Sequence, residues 1–128
     1  MASKFKRLQV ALGVRDVDRA VSFYGKTLGF SVLSQMGNPT SFALLGRDEV
    51  TVSLVQVAAP RAADFACCYI YVDDVDAVHG ECARAGALVV NPMTRHPWGT
   101  RDFVIQDPDG HRIAIGQQEQ EHPPGASA

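Results

Sequence analysis

The chain has 128 residues and a mass of 13.8 kDa, is 46% hydrophobic, and carries a formal net charge of −2 with a pI near 6.0. That length suits one domain with its own core, and the acidic balance argues against nucleic acid or an anionic membrane surface, which select a basic face. No apolar run approaches the roughly 20 residues that span a bilayer, and no apolar segment follows the charged start Lys4 to Arg7, so the expected compartment is the cytoplasm.

Leu8, Val10, Leu12 and Val14 alternate with Gln9, Ala11 and Gly13, the period of a half-buried strand. Asp16 follows as a helix N-cap, and Val17, Ala20, Val21, Tyr24 and Leu28 make one apolar stripe that Gly29 ends. Strands are then expected over Phe30 to Met36, Ser41 to Leu45 and Thr51 to Val57. Gly37-Asn38-Pro39 and Gly46-Arg47-Asp48 supply the turns between them.

The second half repeats this plan. Cys67 to Val72 reads as a strand, Val75, Val78, Cys82 and Ala85 as a helical stripe closed by Gly86, and Leu88 to Met93, Thr100 to Gln106 and Arg112 to Gln117 as strands. Asp107-Pro108-Asp109-Gly110 is a turn with proline and glycine at the favoured places. Val14-Arg15-Asp16-Val17-Asp18 matches Val72-Asp73-Asp74-Val75-Asp76, each at a strand-to-helix junction. Such a repeat implies two supersecondary units that complete one core. The expected domain covers 1–117, with modules at about 6–57 and 66–117, a linker at 58–65, and a mobile polar tail at 118–128. Cys67, Cys68 and Cys82 form no CxxC pair, which argues against a disulfide framework or a zinc knuckle, and they read as small buried hydrophobes.

The opening Val14 to Tyr24, running on to Leu28-Gly29-Phe30, resembles the first module of the glyoxalase/bleomycin-resistance (vicinal oxygen chelate) superfamily. Trp98-Gly99-Thr100-Arg101-Asp102-Phe103 before Asp107-Pro108-Asp109-Gly110 resembles its closing module, and is most similar to the antibiotic-binding branch of bleomycin and mitomycin resistance proteins. The resemblance implies an α+β fold of two βαβββ modules, whose curved mixed sheets enclose a cavity, commonly in a homodimer. Metal-dependent members hold a divalent ion with one side chain on each of four strands, and those positions fall on Gln9, Ser53, Cys67 and Ala114. Serine and alanine do not replace carboxylates, so no metal and no other cofactor is expected. His79, His96, His111 and His122 show no metal-ligand spacing, and no phosphate loop or nucleophile elbow is present.

What remains is a cavity. Strand alternation groups Gln9 with Ala11 and Gly13, Ser53 with Thr51 and Val55, Ala114 with Arg112 and Gly116, and Cys67 with Tyr69 and Tyr71. Small residues bordered by aromatics suit a sizeable organic ligand, although Tyr69 and Tyr71 would equally pack beneath the linker. Trp98, the single tryptophan, sits between Pro97 and Gly99 as either a plug over the core or a stacking surface. Arg101 is placed to meet an acidic ligand group, or else Asp102 or Asp107. Phe42 and Phe103 are further lining candidates, with a core role the alternative. The expected function is metal-free sequestration of a planar or amphipathic small molecule by a homodimer that binds neither nucleic acid nor membrane. The alternative is a glyoxalase-like lyase or isomerase acting on a small oxygenated metabolite.

Overall fold

The computed structural model describes residues 2–119, so most of the expected polar tail, from residue 120 onward, lies outside the described residues. The element order is β1 (Val10–Val14), α1 (Val17–Leu28), β2 (Ser31–Met36), β3 (Phe42–Arg47), β4 (Val50–Gln56), β5 (Ala66–Tyr71), α2 (Val75–Arg84), β6 (Leu88–Arg95), β7 (Thr100–Gln106) and β8 (Arg112–Gln118). These make two four-stranded sheets ordered β1-β4-β3-β2 and β5-β8-β7-β6. In each, one parallel pair, β1 with β4 or β5 with β8, precedes two antiparallel pairs. This is the α+β fold of two βαβββ units, with open sheets and no closed barrel.

The repeated Val-x-Asp-Val-Asp string has a local physical reason. Asp16 caps α1 by accepting from the Arg19 N–H at 3.1 Å, and Asp74 caps α2 by accepting from Ala77 N–H at 3.0 Å. The valines that follow, Val17 and Val75, are fully buried, and Asp18 and Asp76 place negative charge in each first turn. Gly29 takes the left-handed φ of 68° that ends α1.

The helix-facing sides of both sheets share one core, in which Leu12, Val14, Tyr24, Leu45 and Leu54 join Val75, Cys82, Phe103, Ile113 and Ile115. Cross-module polar contacts fix the packing. The Cys82 thiol meets the Thr27 carbonyl at 3.6 Å, and Arg47 reaches Glu81 at 3.1 Å. The Asp107-Pro108-Asp109-Gly110 turn is the main tie. Asp107 accepts from the N–H groups of Asp109 and His111 and from the buried Tyr24 hydroxyl, the last at 2.6 Å. His111 Nε2 also meets the Gly13 carbonyl at 2.7 Å. Burial, and then the Asp107 charge, push the Tyr24 phenol far above its ordinary range, so it stays a donor.

Two expectations shift. Leu8 continues the alternation of β1 but has no layer to cover it and stays 86% exposed, so the strand begins at Val10. β6 runs on to Arg95, with its register to β7 slipping between Asn91 and Thr94. Pro92 lies within that slip and has no N–H for the ladder. Because the modules join through their helix sides, the opposite sheet faces are covered by no other element among the described residues. The enclosed cavity expected from the resemblance is, in one chain, a pair of open faces.

Candidate ligand-binding site

On the second sheet, period-two alternation turns Phe103, Ile105, Ile113 and Ile115 to the core. It therefore turns Asp102, Val104, Ala114 and Gly116 to the open face. Tyr69 of β5 shares that face, and its ring crosses β8 directly over Gly116. A Cβ at residue 116 would overlap the Tyr69 hydroxyl and lie 2.9 Å from the Asp102 Cβ. Glycine is thus what lets Tyr69 lie across the sheet and donate to Asp102 Oδ2 at 2.8 Å.

From this hydrogen bond a continuous line of side chains extends in both directions. Tyr71 tilts against Tyr69 with ring centroids 4.7 Å apart. Asp102 Oδ1 meets His96 Nε2 at 2.9 Å, and the His96 ring stacks on Trp98 at 4.4 Å with only 8° between planes. A carboxylate only accepts, so the Nε2 atom carries the proton and Nδ1 has no partner among the described residues. The carboxylate is mostly shielded, whereas Trp98 is 58% and Tyr71 67% exposed. Loss of water, and then the Asp102 hydrogen bond, push the Tyr69 phenol up to about 12, so it remains a donor throughout the physiological range. The product is a ledge with aromatic faces at both ends and a polar centre, able to stack a flat ligand and hydrogen-bond its edge.

Of the residues expected from the sequence, Trp98, Tyr69 and Tyr71 come together on this ledge. Phe42 lies on the open face of the other sheet, half-buried opposite Met36 and Val55. Gln9 is exposed before β1, where Thr51 donates to its side-chain oxygen at 3.3 Å. Arg101 and Phe103 lie elsewhere, for the same geometric reason: they alternate with Asp102. Arg101 points to the helix side and pairs with Asp76 at 2.6 and 2.8 Å and with Glu119 at 3.2 Å, not with Asp102, Asp107 or the ledge. Phe103 is fully buried, edge-on to His79. Sequence reasoning missed His96 and Asp102. The signal for Asp102 was the alternation already applied to β8, carried one strand further. For His96, which lies in a loop, no such signal existed.

The four positions matched to a metal centre can be judged by their donors. Ser53 and Ala114 are buried, the first neutral and the second without any ligating atom. A bulge between Ala66 and Cys68 takes Cys67 out of the ladder, while its exposure still alternates in step with Tyr69 and Tyr71. Among the described residues no three His, Cys, Asp or Glu side chains gather to hold an ion. This donor set does not fit a hard divalent metal. Cys67 has a different property: the neighbouring Cys68 thiol, by hydrogen bonding, lowers it to about 7.

Comparison with known proteins agrees with this architecture. The profile of the Glyoxalase/Bleomycin resistance protein/Dioxygenase superfamily matches residues 6–115. The chain belongs to that superfamily. It is 28% identical, over 126 residues, to a bleomycin resistance protein of Geobacillus stearothermophilus, covering 84% of this chain and 93% of that one. A Staphylococcus aureus protein of the same name matches equally. Among solved structures, the bleomycin resistance determinant encoded on transposon Tn5 superposes with a TM-score of 0.77 at 22% identity, covering 91% of this chain and all of that one. TnmS3, an antibiotic binding protein from Streptomyces sp. CB03234, gives 0.76 at 24% identity and covers 92% and 99%. These structural likenesses carry the fold. No helix among the described residues is long and apolar enough to cross a membrane.

Proposed function

We propose that this chain is a binding protein of the bleomycin-resistance type, which sequesters a planar or amphipathic organic molecule stoichiometrically, without metal, as a cytoplasmic homodimer. The observation that carries the reading is the ledge Tyr71–Tyr69–Asp102–His96–Trp98, where exposed aromatic faces flank a fixed hydrogen-bonding centre. Flat aromatic ligands are held by such surfaces through stacking and apolar burial, with a few polar groups setting orientation. Two features support a dimer: the outer edges of β1 and β5 are unpaired, and the ledge is uncovered within one chain.

The reading is tested by titrating bleomycin, mitomycin C and unrelated planar aromatics while following the emission of the single tryptophan and the melting temperature. Saturable quenching with one site per chain, and a Tm that climbs with ligand concentration, are expected. Emission and Tm indifferent to the whole panel would remove the reading. One observation favours a second reading, a lyase or isomerase acting on a small oxygenated metabolite: His96 is held by a carboxylate with Nδ1 unpartnered, as in a general base. Turnover of small carbonyl compounds that is lost in His96→Ala would establish it, and one metal ion per chain retained after desalting would point the same way.

A further inference from the structure

The chain has three cysteines, and they meet different fates. Cys82 is fully buried with its thiol against the Thr27 carbonyl at 3.6 Å, the packing role of a small apolar residue. Cys67 and Cys68 have no such role. They are adjacent on the outer strand β5, both thiols are free, and the bulge between Ala66 and Cys68 takes Cys67 out of the pairing with β8. Cys68 packs partly against the core, whereas Cys67 is exposed.

At the bulge the Cys67 sulfur is held by the Cys68 thiol and by its own backbone N–H, both of which favour the thiolate. The same contact pushes the Cys68 thiol far above its ordinary range, so Cys68 keeps its proton and Cys67 is the partner that ionises. A thiol lowered to about 7 is a ready nucleophile at neutral pH. The surroundings of that sulfur point to its ligand. Exposure alternates along β5 so that Cys67, Tyr69 and Tyr71 face the same way, and two residues of strand put Cys67 about 7 Å from Tyr69. Thr100, which alternates with Asp102 along β7, is 9% exposed, and its hydroxyl has no hydrogen-bond partner among the described residues. A leftover buried hydroxyl at the polar centre, between aromatic faces left in water, marks a surface that a ligand completes.

We propose that Cys67 is a covalent trap for flat electrophiles held on the ledge, and that the class it captures is conjugated carbonyl compounds such as enones and quinones. The inference rests on the ledge reading and names the reactive group that its ligand carries. The Cys67 Sγ gives an electron pair to the β-carbon of the conjugated alkene, and a C–S bond forms. The alkene π pair moves toward the carbonyl as an enolate, and the α-carbon takes a proton from water in place of the one the thiol released. The sum is an addition, in which no group leaves and no external oxidant or reductant is consumed. Stacking on Tyr69 and Tyr71 holds the alkene near the sulfur, so the encounter becomes local. Capture then makes sequestration irreversible, with one ligand per chain.

The test compares two probes with the same reacting group: N-(1-pyrenyl)maleimide, which carries a flat aromatic, and N-ethylmaleimide, which does not. Adducts are followed by mass spectrometry with peptide mapping on the wild type, Cys67→Ser, Tyr69→Ala and Tyr71→Ala, with glutathione as the reference thiol. Both tyrosines are exposed, and unchanged circular dichroism confirms folding. The wild type should add one pyrenyl group per chain at Cys67, at a rate that saturates with probe concentration. Its pyrenyl-to-ethyl rate ratio should exceed that of glutathione by about tenfold or more. Each tyrosine variant should lower that ratio by about threefold or more, and Cys67→Ser should lose the adduct. A ratio equal to that of glutathione, a first adduct at Cys68 or Cys82, or a ratio unmoved by both tyrosine variants overturns the trap. If Trp98 emission still responds saturably to planar compounds, the ledge stands without the trap. If it responds to none, both fall.

Discussion

Trp98 rests one face on His96 and leaves 58% of its surface to solvent, so its replacement by alanine has two consequences of very different size. Stability should change little. The substitution removes chiefly one aromatic stack, about 1 kcal/mol, against the roughly 3–5 kcal/mol that truncating a core aromatic costs. For a domain of this length that is a fall in Tm of about 4 °C. Binding should change far more. A large aromatic offers up to about 250 Å², of which the exposed 58% is about 145 Å², and a ligand on the free face covers about half of that. Some 70 Å² at about 25 cal/mol/Å² is about 2 kcal/mol, or a roughly 30-fold rise in Kd. Because the substitution removes the fluorophore, isothermal titration calorimetry with the panel compound that wild type binds is the assay, beside thermal melts. A Tm fall equivalent to 3 kcal/mol or more would make Trp98 a structural plug. An unchanged Kd would show that the ledge is not where the ligand sits.

Gly116→Ala should push Tyr69 off Asp102 and also cost some stability, since the new Cβ meets the far end of the Tyr69 ring and lies 2.9 Å from the Asp102 Cβ. The Tyr69 phenol, held up to about 12, should then titrate nearer its ordinary value, visible as earlier tyrosinate absorbance on raising the pH. Arg101→Ala should leave ligand affinity within twofold and stability little changed, because the guanidinium pairs with exposed Asp76 on the helix side; a tenfold loss of affinity would refute that placement. Tyr24→Phe removes a buried hydroxyl from the Asp107 carboxylate and should cost about 1.5–3 kcal/mol in urea unfolding, with a neutral result breaking the claim that this bond ties the modules. Cys67, lowered to about 7, should be alkylated by iodoacetamide ahead of Cys82, which burial pushes up to about 11, with a rate that rises as the pH passes 7. Cys68→Ala should slow that labelling at pH 7 several-fold; an unaltered rate would mean that the neighbouring thiol is not the cause.

Much of this molecule is written in short-range chemistry. The Asp16 and Asp74 caps, the glycine at residue 29 and the Asp107 turn are satisfied within a few residues, so their residue types announce them. Period-two alternation likewise separates core from open face along β7 and β8. Applied to β7, it already excludes Arg101 and Phe103 from the face that carries Asp102. The exceptions come where local pattern meets a neighbour. Cys67 leaves the ladder at a bulge set against β8, and Leu8 leaves its strand because no layer covers it.

By itself, then, the sequence determined the two βαβββ units with their caps and turns, because each depends on residue type and spacing alone. Only the tertiary structure decided that the modules join through their helices, leaving the sheet faces open. It also decided that His96 and Asp102 stand between Trp98 and Tyr69. Those contacts join residues from a loop and two strands up to 33 positions apart, and no periodicity reports which side chains meet across such distances.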